Sequence, residues 1–316
     1  MKKLWVVLMS LWVSACSTTT DLYAERIEYK VQQVGYVEQK IRFTDDSSEI
    51  HYWDNQNNDK PIVILLHGVG GDAISNWQKT MLALNDDYHV IVPDILWYGQ
   101  STSNLPANLE SQIKAMTQFM AVVAPEKPVN LVGHSYGGFM TYGLMANTNH
   151  IASATIISSP GGSFDQHNLQ EMLEGFGVSK PSELFVPNND EEFKRLVNAS
   201  SYHSLHVPAV TLDGVYEHYF SGNAKQKSIM LDHLIDSRDD LVQKINAKKQ
   251  AGQLPPIQLI WGEQDRIFPL DSGMRLAKEL DAPLYIVTES AHNILIEKPS
   301  IVNRLLTTFL KQQETK

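Results

Sequence analysis

From residue 62 onward, short, mostly apolar runs alternate with longer stretches whose apolar residues recur every three or four positions. The runs at 62–66, 88–92, 129–132, 152–157, 257–261 and 284–287 predict strands, and the continuous one at 62–66 a strand buried on both faces. The stretches at 74–84, 109–123, 138–146 and 272–280 predict the helices between them. Near the end, Val302, Leu305, Leu306, Phe309 and Leu310 fall on one helical face, and Pro299 stands at a first-turn position. Such alternation predicts an α/β fold: a mostly parallel sheet with helices on both faces. Upstream, 27–33, 36–43 and 49–53 alternate in a strand-like way and predict antiparallel edge strands, with a turn rich in Asn and Asp at 54–61. The rhythm breaks once. About ninety residues separate the strand ending near 157 from the next near 257, far more than a crossover helix needs. Helix-like pieces at 191–197 and 227–245 make residues 161–250 an inserted helical cap over the strand C-termini, where open α/β sheets bind ligands.

The first residues follow another pattern: Lys2 and Lys3, an apolar run from 4 to 13, then small residues. That is the layout of a secretory signal, and the run is too short to span a bilayer as a helix. Val13-Ser14-Ala15-Cys16 resembles the lipobox of bacterial lipoproteins, in which the cysteine is acylated and becomes the first mature residue. An ordinary secretory signal or an uncleaved anchor is the alternative. The domain division expected is therefore a signal peptide at 1–15, a lipidated N-terminus and tether at 16–26, the first part of an α/β core at 27–160, the cap at 161–250, and the second part of the core at 251–316. Ser17 after the cysteine suggests, by the bacterial sorting tendency, the outer membrane.

Composition narrows the chemistry. Cys16 is the single cysteine, so the body has no disulfide, no thiol nucleophile and no cysteine-ligated zinc. The formal net charge is -10 with no long basic run, which argues against a nucleic-acid partner. His203, His206 and His218 lack metal-ligand spacing and read as solvated or pocket-lining. No cofactor is implied.

The strongest chemical signal is Gly133-His134-Ser135-Tyr136-Gly137, directly after one predicted strand and directly before a predicted helix. Glycines flank a serine there because the turn is too tight for side chains and holds the hydroxyl exposed. A serine hydroxyl needs a base to take its proton, and the base needs an acid to fix its tautomer. Asp265 follows the strand at 257–261, and His292 lies in a short loop after the strand at 284–287. His67-Gly68-Val69-Gly70-Gly71 follows the strand at 62–66 and offers the Val69 N–H to a developing oxyanion; the second donor is the N–H of Tyr136.

These pieces resemble the α/β-hydrolases, in their capped esterase and lipase branch, and more narrowly bacterial lipases and monoacylglycerol lipases. HGVGG at 67–71, PDILWYGQS at 93–101, GHSYGG at 133–138, WGEQDRIFP at 261–269 and AHNILIEKP at 291–299 run in the family's order. The resemblance implies a Ser135, Asp265, His292 triad acting on carboxylic esters, an acyl-enzyme intermediate, and a small-molecule or lipid ester as substrate. Carbon–carbon bonds, thioesters or an N-terminal peptide bond are the alternatives with the same triad, and a non-catalytic envelope binding protein is the alternative outside catalysis. Trp97 replaces a glycine of the family's D-x-x-G-x-G-x-S, which puts a ring near the expected pocket mouth, and Ala291 replaces a glycine before His292. Met172, Phe176 and Phe185, with Met230, are the cap residues expected to touch an acyl chain.

Overall fold

The computed structural model describes residue 20 and residues 22–45, 47–203 and 214–314; Cys16 and the signal-like run lie outside the described residues. Eight strands form one sheet: β1 (Val37–Phe43), β2 (Ser48–Asp54), β3 (Ile62–Leu66), β4 (His89–Pro93), β5 (Val129–His134), β6 (Ile151–Ile157), β7 (Ile257–Gly262) and β8 (Leu284–Val287). Their spatial order is β1-β2-β4-β3-β5-β6-β7-β8. The pairs β1 with β2 and β2 with β4 are antiparallel, and every pairing from β4 to β8 is parallel. Strands β3, β4 and β5 are buried along their whole length; β3 reads as an unbroken apolar run, whereas β4 and β5 also bury His89, Asn130 and His134.

The sheet divides the core in two. One face is covered by α1 (residues 22–32), α2 (Ala73–Leu84) and the C-terminal helix, which pack Ile27, Val31, Trp77, Met81, Val302 and Leu306 together. The other face takes α3 (Leu109–Val123), α4 (Tyr136–Asn147) and the insertion after β6, through residues such as Phe119, Met140, Leu144 and Leu241. The described part of that insertion is helical: α5 (Gln166–Phe176), α6 (Pro181–Phe185), α7 (Asp190–Ser200), α8 (Ala224–Asp232) and α9 (Arg238–Gln250). After β7 come α10 (Leu270–Leu280), α11 (Ile294–Glu297) and the closing helix α12 (Pro299–Glu314).

Two expectations need correction. The segment 27–33 is not an edge strand: residues 27–32 belong to α1. The apparent alternation of Ile27, Tyr29 and Val31 misled, because Tyr29 is 61% exposed, whereas Ala24, Ile27 and Val31 are buried with helical spacing. The stretch 227–245 is two helices, since a turn at 233–237 lets α8 pack on α6 while α9 packs on α4.

Helix α8 also buries Lys227, 3% exposed, with its ammonium 4.7 Å from the Tyr98 ring centre and donating to the Tyr219 carbonyl at 2.9 Å. Burial lowers its pKa to about 8, from 10.5. At pH 7 the group is charged folded and unfolded, and the folded state bears the cost of desolvation. Lys227→Met is therefore expected to stabilise the protein at pH 7 by about 1–2 kcal/mol, net of the lost hydrogen bond. Between pH 8 and 10.5 the folded lysine sheds its proton before the unfolded one, so the native protein gains stability with pH and the difference shrinks. Denaturant unfolding at pH 7 and pH 10 measures this; a variant less stable at pH 7 would show that the Tyr98 and Tyr219 contacts outweigh desolvation.

Candidate active site

Ser135 joins β5 to α4 with φ 54° and ψ -119°, a left-handed conformation that an L-residue holds only when its surroundings enforce it. The surroundings are backbone. A Cβ at Gly133 would collide with the Gly137 carbonyl, and one at Gly137 with the Leu66 carbonyl of β3, so neither position admits a side chain. The Ser135 N–H donates to the Ile157 carbonyl at 2.9 Å, and the Gly138 N–H donates to the Ser135 carbonyl at 2.9 Å. The turn thus hangs between β3 and β6, with the serine at the C-terminal end of the parallel sheet.

The structure brings His292 and Asp265 to this serine. His292 Nε2 stands 2.9 Å from Ser135 Oγ, and its Nδ1 stands 2.9 Å from Asp265 Oδ2. Asp265 Oδ1 accepts from the N–H groups of Ile267 and Phe268, each at 2.9 Å, which pins the carboxylate. With Oδ2 accepting the Nδ1 proton, Nε2 is left as an acceptor for the serine hydroxyl. All three residues are buried, at 5% exposure apiece. Several contacts hold the histidine loop: Ala291 N–H donates to Glu297, Asn293 N–H to the Ser200 carbonyl at the end of α7, and His134 Nε2–H to the His292 carbonyl at 2.9 Å. Burial first, then the neighbouring His292, lower the His134 pKa to about 3, so this ring stays neutral and keeps its role as a fixed strut.

Val69 and Tyr136 sit on either side of the serine. Tyr136 is the first residue of α4, where backbone N–H groups have no partner within the helix. Gly68 packs so closely that a Cβ there would lie 3.0 Å from Ser135 Cβ, which sets the Val69 turn beside the hydroxyl. His67 locks that turn: its Nε2 accepts from the Ile95 N–H at 3.0 Å, so Nδ1 carries the proton and donates to the Gly68 carbonyl at 2.7 Å. Behind it Asp94 accepts from Ala73 N–H and Gln100 N–H and pairs with His51. Asp94 is a structural anchor of the loop.

A cavity of about 260 Å³ opens onto Ser135, His292 and Val69. Phe185, Phe193, Leu196 and Phe220 give it an apolar wall. Of the residues expected to touch substrate from the sequence, Phe185 is on this wall and four are not. Trp97 is 2% exposed, with its Nε1–H on the Ser103 carbonyl; it keeps the glycine-like φ of 68° but turns its ring into the core. Met172 and Phe176 line a separate groove with Ile267 and Arg275, because α5 packs beside the Asp265 loop while α6 and α7 cover the serine. Met230 is fully buried, its sulfur accepting from Gln112. The wall residues of α7, Tyr23 of α1, and Ile296 of α11 went unread. For α7 the signal was there, since Phe193, Leu196 and Val197 share one face of a stretch recognised as helical.

Comparison with known proteins gives the same frame. Monoacylglycerol lipase ABHD6 of Bos taurus is 25% identical over 262 residues, covering 79% of this chain and 75% of that protein. The 2-hydroxy-6-oxo-6-phenylhexa-2,4-dienoate hydrolase of Comamonas testosteroni is 24% identical over 271 residues, covering 84% and 92%. Among solved structures, a candidate lipase, lip1, from Acinetobacter baumannii superposes with a TM-score of 0.76 over 92% of this chain and 97% of that one, at 20% identity, which shows the shared fold alone. The model of the α/β hydrolase fold family matches residues 61–299, from the start of β3 to the start of α12. On that match and on the strand order that carries it, the chain belongs to the α/β hydrolase fold family.

Proposed function

We propose that the protein is a serine hydrolase of carboxylic esters, with Ser135 as nucleophile, His292 as base and Asp265 as its orienting acid. One observation carries the reading: the unbroken line from Asp265 through His292 to Ser135, ending in an apolar cavity. His292 takes the hydroxyl proton as Ser135 Oγ bonds to the ester carbonyl carbon, and the resulting oxyanion is met by the N–H groups of Val69 and Tyr136. Collapse expels the alcohol, which takes its proton from His292. Water, deprotonated by the same imidazole, then cleaves the acyl-enzyme to the acid and free serine.

The substrate we favour carries a single acyl chain, such as a monoacylglycerol or a short to medium chain ester. About 260 Å³ is just below the usual range of ligand pockets, which run from roughly 300 Å³ upward, and its wall is aliphatic and aromatic. The monoacylglycerol lipase relatives support the same class. The relative named for a dienoate supplies the second reading, carried by the same serine. We further propose that the chain is an envelope lipoprotein anchored through Cys16 and directed to the outer membrane, on the strength of its lipobox-like residues and Ser17.

The test is a substrate panel on the full chain: p-nitrophenyl esters and monoacylglycerols of graded chain length, the phenylhexadienoate, and a fluorophosphonate probe with mass mapping of the labelled residue. Labelling at Ser135 with turnover of the esters is the expected outcome. Turnover of the dienoate alone would move the assignment to the second reading, and absence of labelling in folded protein would remove the nucleophile. Palmitate incorporation in a bacterial host, measured on the same preparation, decides the anchor.

A further inference from the structure

Among the described residues, the four most exposed large apolar side chains are Tyr23 at 62%, Leu22 and Tyr29 at 61%, and Ile296 at 59%. Isolated surface apolar residues are ordinary, but these are not isolated. Three belong to α1. Leu22 and Tyr29 are seven residues apart, about two helical turns, and so share a face opposite the one that buries Ala24, Ile27 and Val31. Helix α1 therefore has an apolar face toward the core and, toward the outside, two large apolar residues among charged and polar ones. Tyr23 on its flank and Ile296 on α11 both line the cavity that reaches Ser135. Tyr23 and Ile296 thus form a collar at the cavity mouth, and Leu22 and Tyr29 extend it along α1, away from the cavity.

We propose that this collar docks on a lipid bilayer, so that the cavity mouth lies against the membrane and takes an acyl ester directly from it. The claim about what enters rests on the esterase reading; the docking itself does not. Chain length names the occupant. Leu22 is six residues beyond Cys16 and nine beyond the end of the apolar run at Val13. At no more than about 3.6 Å per residue, Leu22 stays within about 22 Å of an acylated Cys16, or about 32 Å of the apolar run itself. With either one retained in the membrane, α1 stays within that distance of its surface, so the docking rests on the anchor proposed above. The residue types suit that place: tyrosines with an apolar body and a polar tip, a leucine beside them, and exposed Arg26 and Lys30, each a charge on a long apolar stem.

The test uses the full chain reconstituted in phosphatidylcholine vesicles. A benzophenone amino acid placed at Tyr29 is expected to form a covalent adduct with lipid on irradiation. The same group placed at Val122 is expected to form none: Val122 is 54% exposed but lies at the end of α3 that feeds into β5, at the opposite end of the sheet from Ser135. No adduct at position 29, or equal adducts at both positions, overturns the docking. In a second arm, Leu22→Asp with Tyr29→Asp is expected to lower hydrolysis of vesicle-borne monoacylglycerol roughly tenfold or more. Hydrolysis of water-soluble p-nitrophenyl acetate should stay within about twofold, because neither residue lines the cavity. An equal fall in both activities, or in neither, overturns the delivery route. If the unsubstituted protein cleaves no ester, the esterase reading fails, and the adduct arm still decides the docking.

Discussion

Ser135→Ala is expected to abolish ester turnover, lowering kcat by about 10⁴-fold or more with KM little changed. The size of the effect follows from the geometry. Removing Oγ takes away the atom that would form the acyl bond and leaves His292 Nε2, now 2.9 Å from nothing reactive, without a proton to accept. What stays is the cavity and the two backbone donors proposed at Val69 and Tyr136, which would bind substrate and polarise its carbonyl but cannot attack it. Residual activity of this kind falls well short of the nucleophilic route. Folding should be intact, because the strain of the turn is imposed by the backbone contacts of Gly133 and Gly137, and alanine is smaller than serine. Initial rates with the preferred p-nitrophenyl ester, beside an unfolding curve for each protein, make the comparison. A variant that folds and keeps more than about one tenth of the activity would show that hydrolysis occurs elsewhere on the molecule.

Much of this arrangement is legible in the residues alone, for a physical reason. A strand buried on both faces has few places for polar residues, so 62–66 reads as a run with the boundaries the structure gives to β3; 284–287 reads as one too, with the boundaries of β8, although Tyr285 and Ile286 of that edge strand are exposed. The helix at 109–123 is bounded just as clearly, with Asn108 accepting from the Ser111 N–H at its start. Because the parallel strands all end on one side, residues at their C-terminal ends meet even when 157 positions apart, as Ser135 and His292 do. Side chains on the insertion have no such rule. Met172 and Phe185 lie on neighbouring helices of it, yet only Phe185 faces the serine, since the choice is made by how α5 and α6 pack on the sheet. Helix α1 failed differently. Ile27 and Val31 fit both a period of two and a helical period, and only the burial of Ala24 and the exposure of Tyr29 decide between them.

Asp265→Asn is the second large effect, a fall in kcat of about 10⁴-fold at neutral pH, and here the reason is which atom holds a proton. The oxygen Oδ1 accepts from two fixed backbone N–H groups, those of Ile267 and Phe268, and an amide NH₂ turned toward them would set donor against donor. Asparagine must therefore keep its oxygen on that side and present its NH₂ to His292. Nδ1 then has to accept, and the single proton of the neutral imidazole moves to Nε2, the nitrogen that faces Ser135 Oγ. An imidazole protonated there cannot take the serine proton. The loss falls on kcat, since neither the cavity wall nor the Val69 and Tyr136 donors change, and fluorophosphonate labelling of Ser135 slows with it. Asp265→Ala separates the tautomer from mere loss of charge: without an NH₂ beside it, Nδ1 can keep its proton, so alanine should be no worse than asparagine despite the larger deletion. Steady-state kinetics of both variants decide the matter. A fall of less than about tenfold in Asp265→Asn would mean that another carboxylate orients His292, with Glu297, already hydrogen-bonded to the Ala291 N–H, as the first to test.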